Sequence, residues 1–222
     1  MSTFLEVFES AEDLRNRWRC RRAVEMYEFA EQLAKNDTEM CSVLHMKGVT
    51  LKMWGRLDSA REALELARGR ARGDIQLGNV YRDLGDVLSL LGEKEEAREA
   101  LEQSLECLEP DHGAWGMTMG FRARHLQRNG DLDGALHDYR IANLYLRQSG
   151  APQLFNMVYW ANALRQNKVK LRRVWWRGAF ELCAKYGAWP HRLRLVALRY
   201  FGFRADNFIQ KLLPLQRFVP FV

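Results

Sequence analysis

The chain has 222 residues, of which 47% are hydrophobic and 28% charged, enough to bury a sizeable core and to exclude intrinsic disorder. Five prolines in the whole length favour long helices with polar outer faces over a loop-rich sandwich. The net charge of +6 is divided: residues 1–138 hold 19 Lys/Arg against 26 Asp/Glu, a net of −7, whereas residues 139–222 hold 15 against 2, a net of +13, so the two parts carry opposite fields.

No apolar run approaches the roughly 18 residues that span a bilayer. The stretch MSTFLEVFESAEDLRNRW has early acids and no basic-then-apolar order, so the expectation is neither a secretory signal nor a transit peptide but a soluble, cytoplasmic protein. Cys20, Cys41, Cys107 and Cys183 are widely spaced, form no C-x-x-C pair and are expected as free thiols in a reducing compartment.

In chain order, a 37–38-residue unit repeats. WGRLDSAREALELA (Trp54 to Ala67) is echoed by LGEKEEAREALEQS (Leu91 to Ser104). In the first unit (near 4–40), Ala11 precedes Trp18, and Ala23 follows. The second (41–77) has Gly48, Gly55 and Ala60 at the same places. The third (78–115) has Gly85, Gly92 and Ala97, and the fourth (116–153) has Ala123, Gly130 and Ala135. Small residues thus recur at Ala11, Gly48, Gly85, Ala123 and Ala161, at intervals of 37, 37, 38 and 38.

Each unit reads as two amphipathic helices. In the third, Val80, Leu84, Leu88 and Leu91 recur at helical spacing before Gly92, and Ala97, Leu101, Leu105 and Leu108 after it, with Pro110 as punctuation. Small residues facing each other let the two helices of a hairpin approach closely. The fifth unit (154–187) keeps Ala161, but its second helix has Arg173 where alanine is expected, with a stripe of Leu171, Val174, Trp175, Gly178, Ala179, Leu182 and Cys183.

Residues 188–222 read as a C-terminal cap: a helix from about Leu193 to Phe203, a shorter one near Asn207 to Leu213, and an apolar tail, LLPLQRFVPFV. Pro214 and Pro220 keep that tail extended. It is expected to lie over the last unit as a lid, with insertion into a partner or a truncation product as the alternatives.

Tyr81 to Leu88, YRDLGDVL, resembles the tetratricopeptide signature W-x2-L-G-x2-Y, and the second-helix alanine with an aromatic or leucine four residues on recurs as Ala23/Tyr27, Ala60/Leu64, Ala97/Leu101 and Ala135/Tyr139. The resemblance implies an all-α, right-handed α-solenoid of about five helical hairpins with a divergent C-terminal helical cap. The usual period is 34 residues, and three or four more amount to about one helical turn, so the buried face keeps its direction. The longer unit is similar to those of kinesin light chains, cortical-polarity adaptors and bacterial peptide-sensing or transcription-regulating proteins.

The resemblance further implies a groove, lined by the first helix of each hairpin, that holds a peptide or partner segment. Its candidate contacts are Asn79, Arg82 and Asp86 in the third unit, Met117, Phe121, Arg124 and Arg128 in the fourth, and Phe155, Tyr159, Asn162 and Arg165 in the fifth. Arginine and asparagine suit carboxylates and extended backbone, while phenylalanine and tyrosine add area at low entropy cost. The lysine-and-asparagine carboxylate clamp of some family members is not recognisable, since Arg82/Asp86 and Val158/Asn162 stand in its place.

No phosphate-cradling glycine loop, dinucleotide fingerprint, H-E-x-x-H or G-x-S-x-G occurs. The five histidines never fall three to five apart, and Asp131 and Asp133 suit helix capping better than a metal clamp. The reading is therefore a non-enzymatic protein–protein interaction module or adaptor with no metal and no cofactor. Its partner is a protein or peptide, an acidic one among the candidates. The alternative is nucleic-acid or anionic-membrane binding through the basic C-terminal third, where Lys168, Lys170, Arg172, Arg173 and Arg177 interleave with aromatics.

Overall fold

A computed structural model of the chain describes residues 3–109, 113–186 and 189–212. Pro110 and the apolar tail from Leu213 to Val222 lie outside the described residues. Within them are twelve helices and no strand, and no helix is long and apolar enough to cross a membrane. The chain forms two compact units, Met1–Glu109 and Pro110–Val222.

Unit one holds three hairpins: α1 (Phe4–Asn16) with α2 (Cys20–Leu33), α3 (Asp37–Trp54) with α4 (Leu57–Arg70), and α5 (Asp74–Leu91) with α6 (Lys94–Cys107). The small-residue ladder is where the two helices of each pair meet. Ala11, Gly48 and Gly85 are buried on the first helices, and Ala23, Ala60 and Ala97 are 0% exposed on the second. Tyr27, Leu64 and Leu101, four residues after those alanines, are also 0% exposed.

Unit two holds α7 (Gly113–Arg128) with α8 (Leu132–Tyr145) and α9 (Ala151–Gln166) with α10 (Arg173–Tyr186), followed by α11 (Trp189–Tyr200) and α12 (Phe203–Leu212). One hydrophobic cluster joins Ala123, Ala135, Tyr139, Ala161, Trp176, Ala179, Leu195 and Leu198. Asp131 caps α8 by accepting a hydrogen bond from the Gly134 amide at 2.9 Å.

The turn inside each hairpin needs one residue of left-handed backbone. Gly55, Gly92 and Gly130 supply it with φ of 83°, 90° and 92°, a conformation that costs glycine nothing. Trp18 and Lys168 hold the same column with φ of 62° and 58°, so the fivefold repeat persists at these turns even where glycine does not.

Two expectations change. The helices α3, α5, α7 and α9 begin three or four residues before the repeat boundaries read from the sequence. The first turns of α3 and α5 open on acids, and those of α7 and α9 on small residues: Asn36 caps α3 by accepting from the Glu39 amide at 2.9 Å, with Asp37 and Glu39 in the opening turn, while α7 begins Gly113-Ala114 and α9 Ala151-Pro152. Hydrophobic periodicity does not register such turns. The cap helices likewise start about four residues earlier than expected.

The fifth hairpin also differs. Its connector, residues 167–172, is six residues long where Gly55–Arg56 and Gly92–Glu93 are two, so the second helix starts late. The alanine is moved to Ala179, which is 0% exposed in the same cluster as Ala161. The buried face of α10 is therefore Trp176, Ala179 and Cys183, while Val174, expected in the stripe, is 72% exposed.

Candidate functional site

In unit one the candidate residues of α5 open onto a buried ionic network. Lys52 of α3 reaches Asp83 at 3.0 Å and Asp86 at 3.1 Å. Arg82 donates to Asp83 at 2.7 Å and to Asn79 at 2.6 Å, and His45 Nε2 lies 3.0 Å from Asp83. Burial would raise the carboxyl of Asp83, but Arg82, Lys52 and His45 together hold it well below the usual carboxylate range. Arg82 and Asp86, expected at non-core positions, are thus buried, with Arg82 paired to Asp83 and Asp86 to Lys52. Asn79 is half-buried and lines a cleft with Ser42, His45, Met46 and Gln76.

Sequence reading missed Lys52, Asp83 and His45. The available signal was Lys52 itself, a cation inside the apolar stretch VTLKMW, and the acid pair at Asp83 and Asp86.

In unit two the candidates of α7 and α9 converge. The Arg124 guanidinium carbon lies 4.3 Å from the Phe121 ring centroid, 4.7 Å from Phe155 and 5.0 Å from Tyr159. Phe155 stacks obliquely on Tyr159 at 4.8 Å and meets Phe121 edge-on at 6.4 Å. Met117 joins these four around one cavity, closed by Tyr139, Leu146, Pro152 and Asn156. Five expected residues from two helices therefore line a single cavity, apolar except for the buried guanidinium and one amide. Gly120, in the same wall, leaves room for Asn156: a Cβ there would stand 3.1 Å from its Oδ1.

A second, polar cleft shares Arg124 and Tyr159 with the first and adds Gln127, Arg128, Asn162, Gln166 and Asn207. Its amides are chained: Tyr139 Oη donates to Gln127 at 3.0 Å, and Gln127 donates to Asn162 at 2.8 Å and to Gln166 at 3.0 Å. Burial raises the Tyr139 phenol above its ordinary range, keeping it a donor. Arg128 is exposed and Arg165 half-buried. Phe121, Arg124, Tyr159 and Asn162 are buried rather than displayed.

The basic candidates divide by position. Lys168, Lys170 and Arg172 lie on the six-residue connector, Arg173 and Arg177 in the opening turns of α10, and all five are exposed. Among the described residues none of them forms an ion pair.

Residues 79–107 match the tetratricopeptide repeat family. Among curated proteins, none matches the sequence. The Rap protein solved in complex with competence and sporulation factor is similar with a TM-score of 0.78 at 10% identity, over 96% of this chain and 64% of that one, so this chain spans just under two thirds of the Rap protein's length. A candidate kinesin light chain from Podosopora anserina with nearly identical TPR-like repeats is similar at 0.56 and 19% identity, over 87% and 95% of the two chains. BtubC (BKLC) from P. vanneervenii is similar at 0.59 and 15%, over 88% and 84%.

Proposed function

We propose that this chain, which matches the tetratricopeptide repeat family over residues 79–107 and shares its fold with solved helical-repeat proteins, is a non-enzymatic interaction module that holds a protein or peptide segment against α7 and α9. The observation that supports this most is the convergence of Met117, Phe121, Arg124, Phe155 and Tyr159 on one cavity. A small apolar group of the partner, of about methyl size, enters the cavity beside the rings and Arg124, where burial rewards it at about 25 cal/mol per Å². Backbone or acidic groups beside it meet Arg128 and the amides of the polar cleft. The complex of the Rap protein with competence and sporulation factor is compatible with this reading, and so is the +13 charge of residues 139–222, which favours an acidic partner. The cytoplasmic placement belongs to the same proposal.

The experiment is affinity capture with the full chain beside Arg128→Glu, an exposed site, and Phe155→Ala. Both substitutions are expected to abolish capture of the same partners while circular dichroism stays helical. Capture left unaltered by both sinks the proposal.

A second reading is favoured by one arrangement. The cations of the connector lie at the N-terminal end of α10, where they disfavour the helix rather than support it, and that end attracts anions. Nucleic-acid or anionic-membrane binding there weakens steeply with salt, and the fivefold substitution of Lys168, Lys170, Arg172, Arg173 and Arg177 by glutamine is expected to remove it.

A further inference from the structure

Helix α12 is attached to unit two by a carboxylate. Of its side chains from Phe203 to Ile209, Asp206 alone is buried, and Phe203 packs partway into the core. Phe208 is 64% exposed, and Tyr200 and Phe201 before the helix are 64% and 75% exposed. Surface helices dock through an apolar stripe, but here the aromatic side chains largely face outwards and the acid faces in.

What receives that acid is a built site. Asp206, 0% exposed, accepts from Arg194 Nε at 2.6 Å and Nη2 at 2.7 Å, a bidentate fork, and from Asn162 Nδ2 at 2.7 Å. Asn162 also donates to Asn207 Oδ1 at 2.8 Å. Arg194 is itself 0% exposed and stands 4.6 Å over the Tyr159 ring. Burial opposes its charge, yet Asp206 and Tyr159 push the guanidinium above its ordinary range. The receiving groups come from α9 and α11; Tyr159 lines both clefts with Arg124, and Asn162 lines the polar one.

We propose that this face of α9 and α11 is a docking site for a short helix presenting a carboxylate, that α12 occupies it in cis, and that a partner helix of the same chemistry takes the site by replacing α12. The proposal rests on the reading of α7 and α9 as the partner-binding side. A buried Arg194 without an anion is an uncompensated charge, so departure of α12 is favoured when another carboxylate arrives. Exchange then conserves the hydrogen bonds, and differential affinity decides the occupant. Gly202, with φ +86°, sits at the joint between α11 and α12 and gives the backbone freedom for the swing. Because α12 is tethered, it competes at a high effective concentration, which sets a threshold that a chance acidic helix does not pass.

The test uses the full chain and a fluorescent synthetic peptide of residues 200–212, with a second peptide in which Asp206 is replaced by asparagine. The chain carrying Asp206→Ala is expected to bind the first peptide at least tenfold more tightly than the wild-type chain does, and to bind the second weakly. Adding Arg194→Met is expected to abolish binding. Hydrogen exchange supplies the second readout: Asp206→Ala is expected to speed exchange in α12 while α7 and α9 keep their protection. Absence of peptide binding with α7 and α9 still protected overturns the proposal, and so does loss of protection throughout unit two, which would make α12 part of the core. Wild-type dimers whose α12 protection depends on concentration overturn it in favour of exchange between copies. Peptide binding that holds while Arg128→Glu and Phe155→Ala both leave partner capture unaltered supports this site and removes only the groove reading.

Discussion

Gly85 faces Leu101 so closely that a Cβ on the glycine would stand 2.7 Å from the leucine Cγ and 3.2 Å from the Ala97 carbonyl oxygen. Gly48 repeats the relationship with Leu64, at 2.6 Å. Gly85→Leu is therefore expected to cost about 1–3 kcal/mol by overpacking, read as a lower urea midpoint with an unchanged slope. An unchanged midpoint would mean that the hairpin does not depend on close approach.

The turn column yields a pair of opposite effects. Lys168 is exposed with φ 58°, so Lys168→Gly is expected to stabilise unit two by about 1 kcal/mol, removing a backbone cost with few contacts to lose. Gly92 has φ 90° and open space where a Cβ would go, so Gly92→Ala is expected to destabilise by about 1–2 kcal/mol from backbone strain alone. Thermal denaturation of the two variants should move in opposite directions.

The Asp83 network makes stability depend on acid. Because the folded-state carboxyl is held below its ordinary range, its contribution is fully present above the unfolded value of about 3.9 and is lost as pH falls through the lower folded value. A urea series from pH 6 to pH 2 should show the loss beginning below about pH 4, and Asp83→Asn should flatten that slope. Lys52→Met leaves Asp83 and Asp86 buried without their shared cation and is expected to cost about 3–5 kcal/mol near neutral pH.

Burial also makes one thiol inert. Desolvation pushes the Cys41 thiol up to about 11, so at pH 8 its thiolate fraction is negligible. Cys41 is expected to resist iodoacetamide until the chain unfolds, and alkylation mapped by mass spectrometry at rising urea should show it reacting with the global transition.

The sequence was informative wherever packing repeats. Gly48, Gly85 and their partner alanines could be read because close approach demands small side chains at a fixed interval. The fifth alanine could not, since a six-residue connector shifted Ala179 out of the column, and interval counting has no means to detect a longer turn. At the candidate site, Met117, Phe121, Arg124, Phe155 and Tyr159 were chosen by their place in the repeat and do line one cavity. Their burial was not legible, because exposure of a first-helix side chain depends on what crosses over it. For Asn162 and Tyr159 that is Asp206 and Arg194, 44 residues from Asn162 in one case and on helices outside the repeat. Long-range polar pairs leave no periodic trace.

The connector at 167–172 shows how a modular chain can lengthen at a turn while both helices keep their place in one core. The extra residues sit outside the ladder, and Ala161 and Ala179 stay in one hydrophobic cluster although α9 and α10 pack against each other more sparsely than the helices of the earlier hairpins. A fluorophore or epitope placed at this bend should report on whatever approaches the cationic segment while sparing the scaffold beneath it. It is the natural point of entry for engineering this molecule.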